Sequence, residues 1–104
     1  MIFPDVDSHP DADAELEAAV DRYLAYSADS AERFLNAVGK LVVDLCKWPQ
    51  SGRVWEPWER EPTVYTYGVP GYPFRIVYYI RDGEPVIVAY AHEKRRPGYW
   101  EHRV

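Results

Sequence analysis

The chain has 104 residues, 47% of them hydrophobic and 28% charged, with a formal net charge of −5. That length supports one hydrophobic core and not two, and an ordinary apolar content with nine Tyr and four Trp excludes long disorder. No run approaches the ~20 apolar residues of a membrane span, and Met1-Ile2-Phe3-Pro4-Asp5 lacks the charged start and apolar stretch of a signal peptide, so a single domain over residues 1–104, acting in the cytoplasm without membrane attachment, is expected.

From Ser8 the chain reads as a helix start. Ser8 or His9 is the expected cap, Pro10 falls in the first turn, and Asp11, Asp13 and Glu15 lie near the positive end of the helix dipole. Leu16, Ala19, Val20, Tyr23 and Leu24 then recur at helical spacing. The pattern breaks at Ser27-Ala28-Asp29-Ser30, where Asp29 followed by Glu32 suggests a fresh cap. A second helix carries Phe34, Val38, Leu41, Leu45 and Trp48 as its apolar stripe, widened by Leu35 and Val42, and ends at Pro49 and Gly52. Trp48 is expected in the core and Cys46 as a small buried hydrophobe. Two helices so briefly linked pack as an antiparallel hairpin.

Residues 50–62 are expected to form a loop, because Trp55-Glu56-Pro57-Trp58-Glu59-Arg60-Glu61-Pro62 is too rich in proline for regular structure. Beyond it the period changes to that of strands. Thr63–Val69, Phe74–Ile80 and Pro85–Ala91 are three candidates, the last two joined by the hairpin signal Asp82-Gly83. The fold class is therefore α+β, an N-terminal antiparallel helical hairpin packed on one face of a small, mainly antiparallel β-sheet.

A two-residue turn at Asp82-Gly83 sets the register by counting outward, with Arg81 opposite Glu84, Tyr79 opposite Val86, Val77 opposite Val88 and Arg75 opposite Tyr90. Alternation then assigns Phe74, Ile76, Tyr78, Ile80, Ile87, Ala89 and Ala91 to the face beneath the helices. Val77, Tyr79 and Val88 fall on the open face, with Arg75, Tyr90 and His92 grouped at one end. Trp100 is expected to return and cap the core.

Charge is unevenly spread. Residues 1–46 carry ten acids against Arg22, Arg33 and Lys40, whereas residues 47–104 carry nine Lys or Arg against seven acids. A nucleic acid drawn to the second half meets repulsion from the first, which argues against direct nucleic-acid binding. The single cysteine, Cys46, has no partner for a disulfide. His9, His92 and His102 show no metal-ligand spacing, so no metal or cofactor is expected.

Four segments carry a resemblance to a known family: the helix opening His9-Pro10-Asp11-Ala12, the helix exit Trp48-Pro49-Gln50-Ser51-Gly52-Arg53, the strand Tyr72-Pro73-Phe74-Arg75-Ile76-Val77-Tyr78, and the string Ala91-His92-Glu93-Lys94-Arg95-Arg96-Pro97-Gly98-Tyr99-Trp100. In order and spacing they resemble the RelE/ParE superfamily of bacterial toxins, often described as plasmid stabilization proteins. The resemblance implies the toxin of a type II toxin–antitoxin system, silenced by a cognate antitoxin protein.

That superfamily divides by target. RelE-like members cut messenger RNA on the ribosome, and for that chemistry Arg75, His92, Arg95, Arg96 and Tyr99 are the catalytic candidates: His92 as base or acid, Arg75 and Arg95 as phosphate clamps, Tyr99 as acid or stacking platform. ParE-like members lack that set and inhibit DNA gyrase. Two features favour the second reading here. Glu56, Glu59 and Glu61 stand where RelE-like nucleases usually carry cations, and the string His92–Trp100 is closer to the ParE-like pattern. A degenerate, non-toxic binding relative is a third reading. Trp55, Trp58, Tyr65, Tyr67 and Tyr90 are the expected partner contacts, aromatics of that kind being enriched at protein interfaces.

Overall fold

The computed structural model describes residues 2–104. Strand β1 (Asp7–Ser8) leads into α1 (Pro10–Leu24) and α2 (Ala28–Lys47). A 3-10 turn at Pro49–Ser51 and β2 (Arg53–Val54) precede β3 (Val64–Gly68), β4 (Phe74–Arg81) and β5 (Glu84–His92), and a last 3-10 turn spans Glu101–Arg103. The sheet order is β1-β5-β4-β3-β2, with β1 parallel to β5 and every other pairing antiparallel. The expected α+β architecture is thus what the chain adopts, with β1 and β2 as short edge strands that the sequence pattern did not announce. No helix among the described residues is long and apolar enough to cross a membrane.

Local chemistry starts each helix. The His9 ring accepts a hydrogen bond from the Asp11 amide at 3.0 Å, and the Ser27 hydroxyl accepts one from the Ser30 amide at 2.9 Å. The second cap therefore lies two residues before the expected Asp29, which instead sits in the first turn and pairs with Arg33 four residues on. Ala12, Leu16 and Ala19 of α1 and Phe34, Val38, Leu41, Val42 and Leu45 of α2 face Phe74, Ile76, Tyr78, Ile87 and Tyr90 of the sheet, forming the main core. Two expectations at the end of α2 fail for a rotational reason. Cys46 is exposed, because one residue past Leu45 turns ~100° away from the buried stripe. Trp48 is 70% exposed, because the backbone has already left the helix there (φ −131°, ψ 72°) and the helical spacing no longer applies.

The turn at Asp82-Gly83 has positive φ at both residues (53° and 79°), the twist-matched geometry of a two-residue hairpin. Register follows the expected count through Tyr78–Ile87 and then departs from it. Tyr78 pairs with Ile87 but Val77 pairs with Ala89, leaving Val88 as the extra residue of a β-bulge. From there every residue of β5 is displaced by one and changes face. Arg75 stands opposite Ala91, not Tyr90. Tyr90, 4% exposed, turns into the main core beneath the helices, and Ala89 joins Val77 and Val88 on the other face with Ala91 beside them. The expected grouping of Arg75, Tyr90 and His92 on one open face is overturned by that single residue.

The face away from the helices has its own apolar cluster. Val64, Val77, Val88 and Ala89 are covered by Trp100, which is 3% exposed, with Trp55, Trp58, Tyr99 and Val104 around it. Trp100 does return to cap a core, on the side of the sheet opposite the helices.

Candidate functional site

The end of the sheet where β4 begins and β5 finishes carries the chemistry. After His92 the chain makes a tight connection, with Glu93 N–H donating to Pro73 O at 2.9 Å and Arg95 N–H to His92 O at 2.9 Å. Gly98, at φ +82°, then redirects the backbone, and a Cβ there would stand 2.7 Å from Glu101 Oε1 and 3.1 Å from the Trp55 ring. This reversal lays Trp100 on the sheet and carries Arg103 to α1.

Arg103 meets Glu15 at the exposed edge of β5. Beyond Ser8 no strand among the described residues pairs with that edge, yet polar backbone groups there are occupied: Tyr90 N–H donates to Glu15 Oε1 at 3.1 Å, and Arg103 Nη1 donates to Val88 O at 3.1 Å. The same Arg103 Nη1 donates to Glu15 Oε1 at 2.9 Å, and the Tyr99 hydroxyl donates to Glu15 Oε2 at 2.6 Å. Glu15 and Arg103, with side chains 15% and 8% exposed, thus take the place of a missing strand opposite the bulge.

Two clefts open on either side of this end. The first, about 520 Å³, lies on the helix side between Glu15, Arg22, Phe74, Tyr90, Lys94 and Tyr99. The second, about 290 Å³, lies on the opposite face and includes Arg53, Trp55, Thr66, Arg75, Arg96 and Trp100 in its wall. His92 and Arg95 border both. In the second cleft the Arg75 guanidinium donates from Nε and Nη2 to Thr66 Oγ1 at 3.3 and 3.1 Å, lying across Gly68 where no side chain obstructs it.

The five catalytic candidates, Arg75, His92, Arg95, Arg96 and Tyr99, all contribute to the wall of the second cleft, though the side chains of His92 and Tyr99 are engaged elsewhere. His92 turns its ring edge-on to Phe74, 5.1 Å between centroids, and its Nδ1 accepts a hydrogen bond from the Lys94 amide at 3.0 Å. Arg75 projects from the other side of the sheet. The phenol of Tyr99 is committed to Glu15, and its ring lies under the Arg95 guanidinium at 3.9 Å. Burial, then the hydrogen bond from its hydroxyl to the Glu15 carboxylate, push the Tyr99 phenol well above the ordinary value of 10.0. Arg96 is exposed and makes no ion pair among the described residues.

The expected partner contacts divide between the faces. Trp55 and Trp58 lie with Trp100 on the far face, at 4.7 and 6.2 Å between ring centroids, whereas Tyr65 stacks on Tyr78 and packs with Tyr67 against the main core. Tyr90 is 4% exposed beneath α1, the little surface it keeps facing the first cleft. Sequence reasoning missed Glu15 and Arg103. Glu15 reads locally as one more first-turn acid, and no local signal links it to a residue 88 positions later.

Tyr90 is likewise pushed up, by burial first and by the Asp13 carboxylate second. The sign is that of groups whose folded pKa exceeds the unfolded one: their stabilisation is complete below about pH 10 and is lost as pH rises toward the folded values. Urea unfolding followed from pH 8 to 11 should show midpoints level at the lower end and falling at the upper. Tyr99→Phe should make that fall shallower; an unchanged slope would count against the assignment.

A comparison with protein families resolves the identity of this architecture. The model for the ParE toxin of the type II toxin–antitoxin system parDE matches residues 6–97. The chain belongs to the ParE toxin family. No individual curated protein matches it. The match begins at Val6, ahead of β1, and ends at Pro97, one residue before the Gly98 turn, so the segment carrying Trp100 and Arg103 lies beyond it. The protein is therefore the toxin of a toxin–antitoxin pair, with an antitoxin as partner.

Proposed function

We propose that this ParE-family toxin inhibits growth by protein contact with DNA gyrase in the bacterial cytoplasm, without cutting RNA. The observation carrying the reading is that the acid–base candidates in the second cleft already have hydrogen-bond partners, His92 Nδ1 in the Lys94 amide and the Tyr99 hydroxyl in Glu15. Internal attack by a 2′-hydroxyl requires a base, an acid and phosphate-binding cations around one phosphorus atom.

Trp55, Trp58, Tyr65 and Tyr67 support an antitoxin path around the β2–β3 side of the sheet. β2 pairs with Tyr65 and Thr66 and the Trp55 N–H donates to Val64 O at 2.8 Å, so among the described residues Tyr67 and Gly68 are the part of the β3 edge without a strand partner, with tryptophans on one face of the strand and tyrosines on the other. An extended segment added there would touch both sets.

The test runs two reactions side by side. Purified toxin added to gyrase and relaxed plasmid should abolish supercoiling, and added to translating ribosomes it should leave messenger RNA intact. Intact supercoiling together with cleavage that His92→Ala or Arg95→Ala removes would reverse the reading.

A further inference from the structure

The second cleft has a composition that neither its packing role nor the toxin family accounts for. Arg53 comes from β2, Arg75 from β4, and Arg95 and Arg96 from the connection after β5, so three separate parts of the fold bring four guanidinium groups to one concavity. Nothing neutralises most of them. Among the described residues Arg53, Arg75 and Arg96 take part in no ion pair, and Arg95 reaches only the edge of Glu15 at 4.0 Å. Arg75 is instead oriented by the neutral hydroxyl of Thr66, over the bare backbone of Gly68. Glu93 also lies in the wall but pairs with none of them, so the cleft keeps an excess of cationic forks without an ion-pair partner, prepared for an anion from outside.

We infer that this cleft is a docking groove for a carboxylate-rich segment of the protein that the toxin inhibits. The inference rests on the reading of the toxin as one that acts by protein contact. Charge complementarity selects the acidic chain, and the aromatics select it over a nucleic acid. Single-stranded nucleic acid needs open ring faces on which to stack its bases. Here the rings near the cleft are already engaged. Trp55 packs against Trp100, Trp58 carries Arg60 at 4.0 Å and donates its indole N–H to Pro62 O, and Tyr99 lies under Arg95. A long polyanion leaving the groove would also meet the acidic helical half, whereas a short run of Asp and Glu engages the guanidinium groups alone.

The probe is a synthetic peptide of alternating Asp and Glu, titrated into the full-length toxin at low ionic strength and followed by ¹⁵N chemical shifts. Expected are shifts concentrated at Arg53, Thr66, Arg75 and Arg96, weakening with added salt, and at least a tenfold loss of affinity in Arg75→Glu/Arg96→Glu. Arg96→Glu alone, in an exposed turn, guards against a folding defect and should weaken binding several-fold at unchanged thermal stability. Shifts centred on Arg33 or Lys40, or an RNA oligonucleotide displacing the peptide from the groove, would overturn the inference. The supercoiling assay separates this claim from the one beneath it. If the wild-type toxin inhibits gyrase and the doubly reversed variant inhibits equally, the groove is refuted and the protein-contact reading stands. If the wild-type toxin leaves gyrase untouched yet binds the peptide at these residues, the groove stands and gyrase is not the target.

Discussion

Glu15→Ala is expected to destabilise the toxin by about 3–5 kcal/mol, the loss typical of a buried ion pair deprived of one member. Three groups lose their acceptor at once: the Tyr90 amide, the Tyr99 hydroxyl and the Arg103 guanidinium. Arg103 has little else to turn to. Its Nε is already buried without a hydrogen-bond partner, so without Glu15 its charge would be left with only the more exposed Asp11 at 3.8 Å and the Val88 carbonyl. The substitution also uncovers the β5 edge, so the variant should self-associate more readily than wild type, as light scattering would register. Glu15→Gln keeps one acceptor oxygen, for the Tyr90 amide, while placing a donor NH2 opposite the Tyr99 hydroxyl and removing the charge opposite Arg103, and should fall between the two. Urea denaturation of the three proteins measures the series. A Glu15→Ala midpoint equal to wild type would mean that the edge is not closed by this pair.

Trp100→Ala should cost a comparable ~3–5 kcal/mol, through a different mechanism. The indole lies between the strand face of Val64, Val77, Val88 and Ala89 and the side chains of Trp55 and Trp58, so its removal leaves a cavity that rigid strands cannot close. Total stability of a domain this size is about 5–15 kcal/mol, and either substitution consumes a large part of it. Trp100→Phe retains most of the buried area and should recover much of the loss. The two effects are also spectroscopically distinct. Trp100→Ala should redshift the fluorescence of the remaining tryptophans by exposing Trp55, whereas Glu15→Ala should leave it native until the chain unfolds. An unshifted spectrum in a folded Trp100→Ala protein would show that the far-face cluster does not depend on this residue.

Both sites explain how far a reading of the chain extends. The helices, the three long strands and the hairpin were legible because each depends on neighbours within a few positions: Pro10 after a capping residue, an apolar stripe from Phe34 to Leu45, Asp82-Gly83 between β-branched runs. The family resemblance was legible for the same reason, being carried by contiguous strings. The assignment of faces failed at one residue. A bulge at Val88 has no local signature, and counting past it inverts the sides of Tyr90 and His92. One hint was present in composition: strict alternation places small Ala89 and Ala91 beneath the helices and the large Tyr90 outside, a poor use of volume in a close-packed core.

What the amino-acid order determined alone is the two helices and three long strands, their sequence along the chain, the toxin family and the absence of a cysteine pair. Tertiary structure decided which side chains meet. The bulge coincides with the place where β1 ends and Glu15 and Arg103 take over the β5 edge, a junction joining residues 75 to 88 positions apart. Periodicity describes how a segment repeats and turn chemistry describes how it reverses. Neither encodes the backbone hydrogen bonds that a distant carboxylate and guanidinium satisfy beside the bulge, and it is that bulge which sets the face on which Tyr90 and His92 are presented.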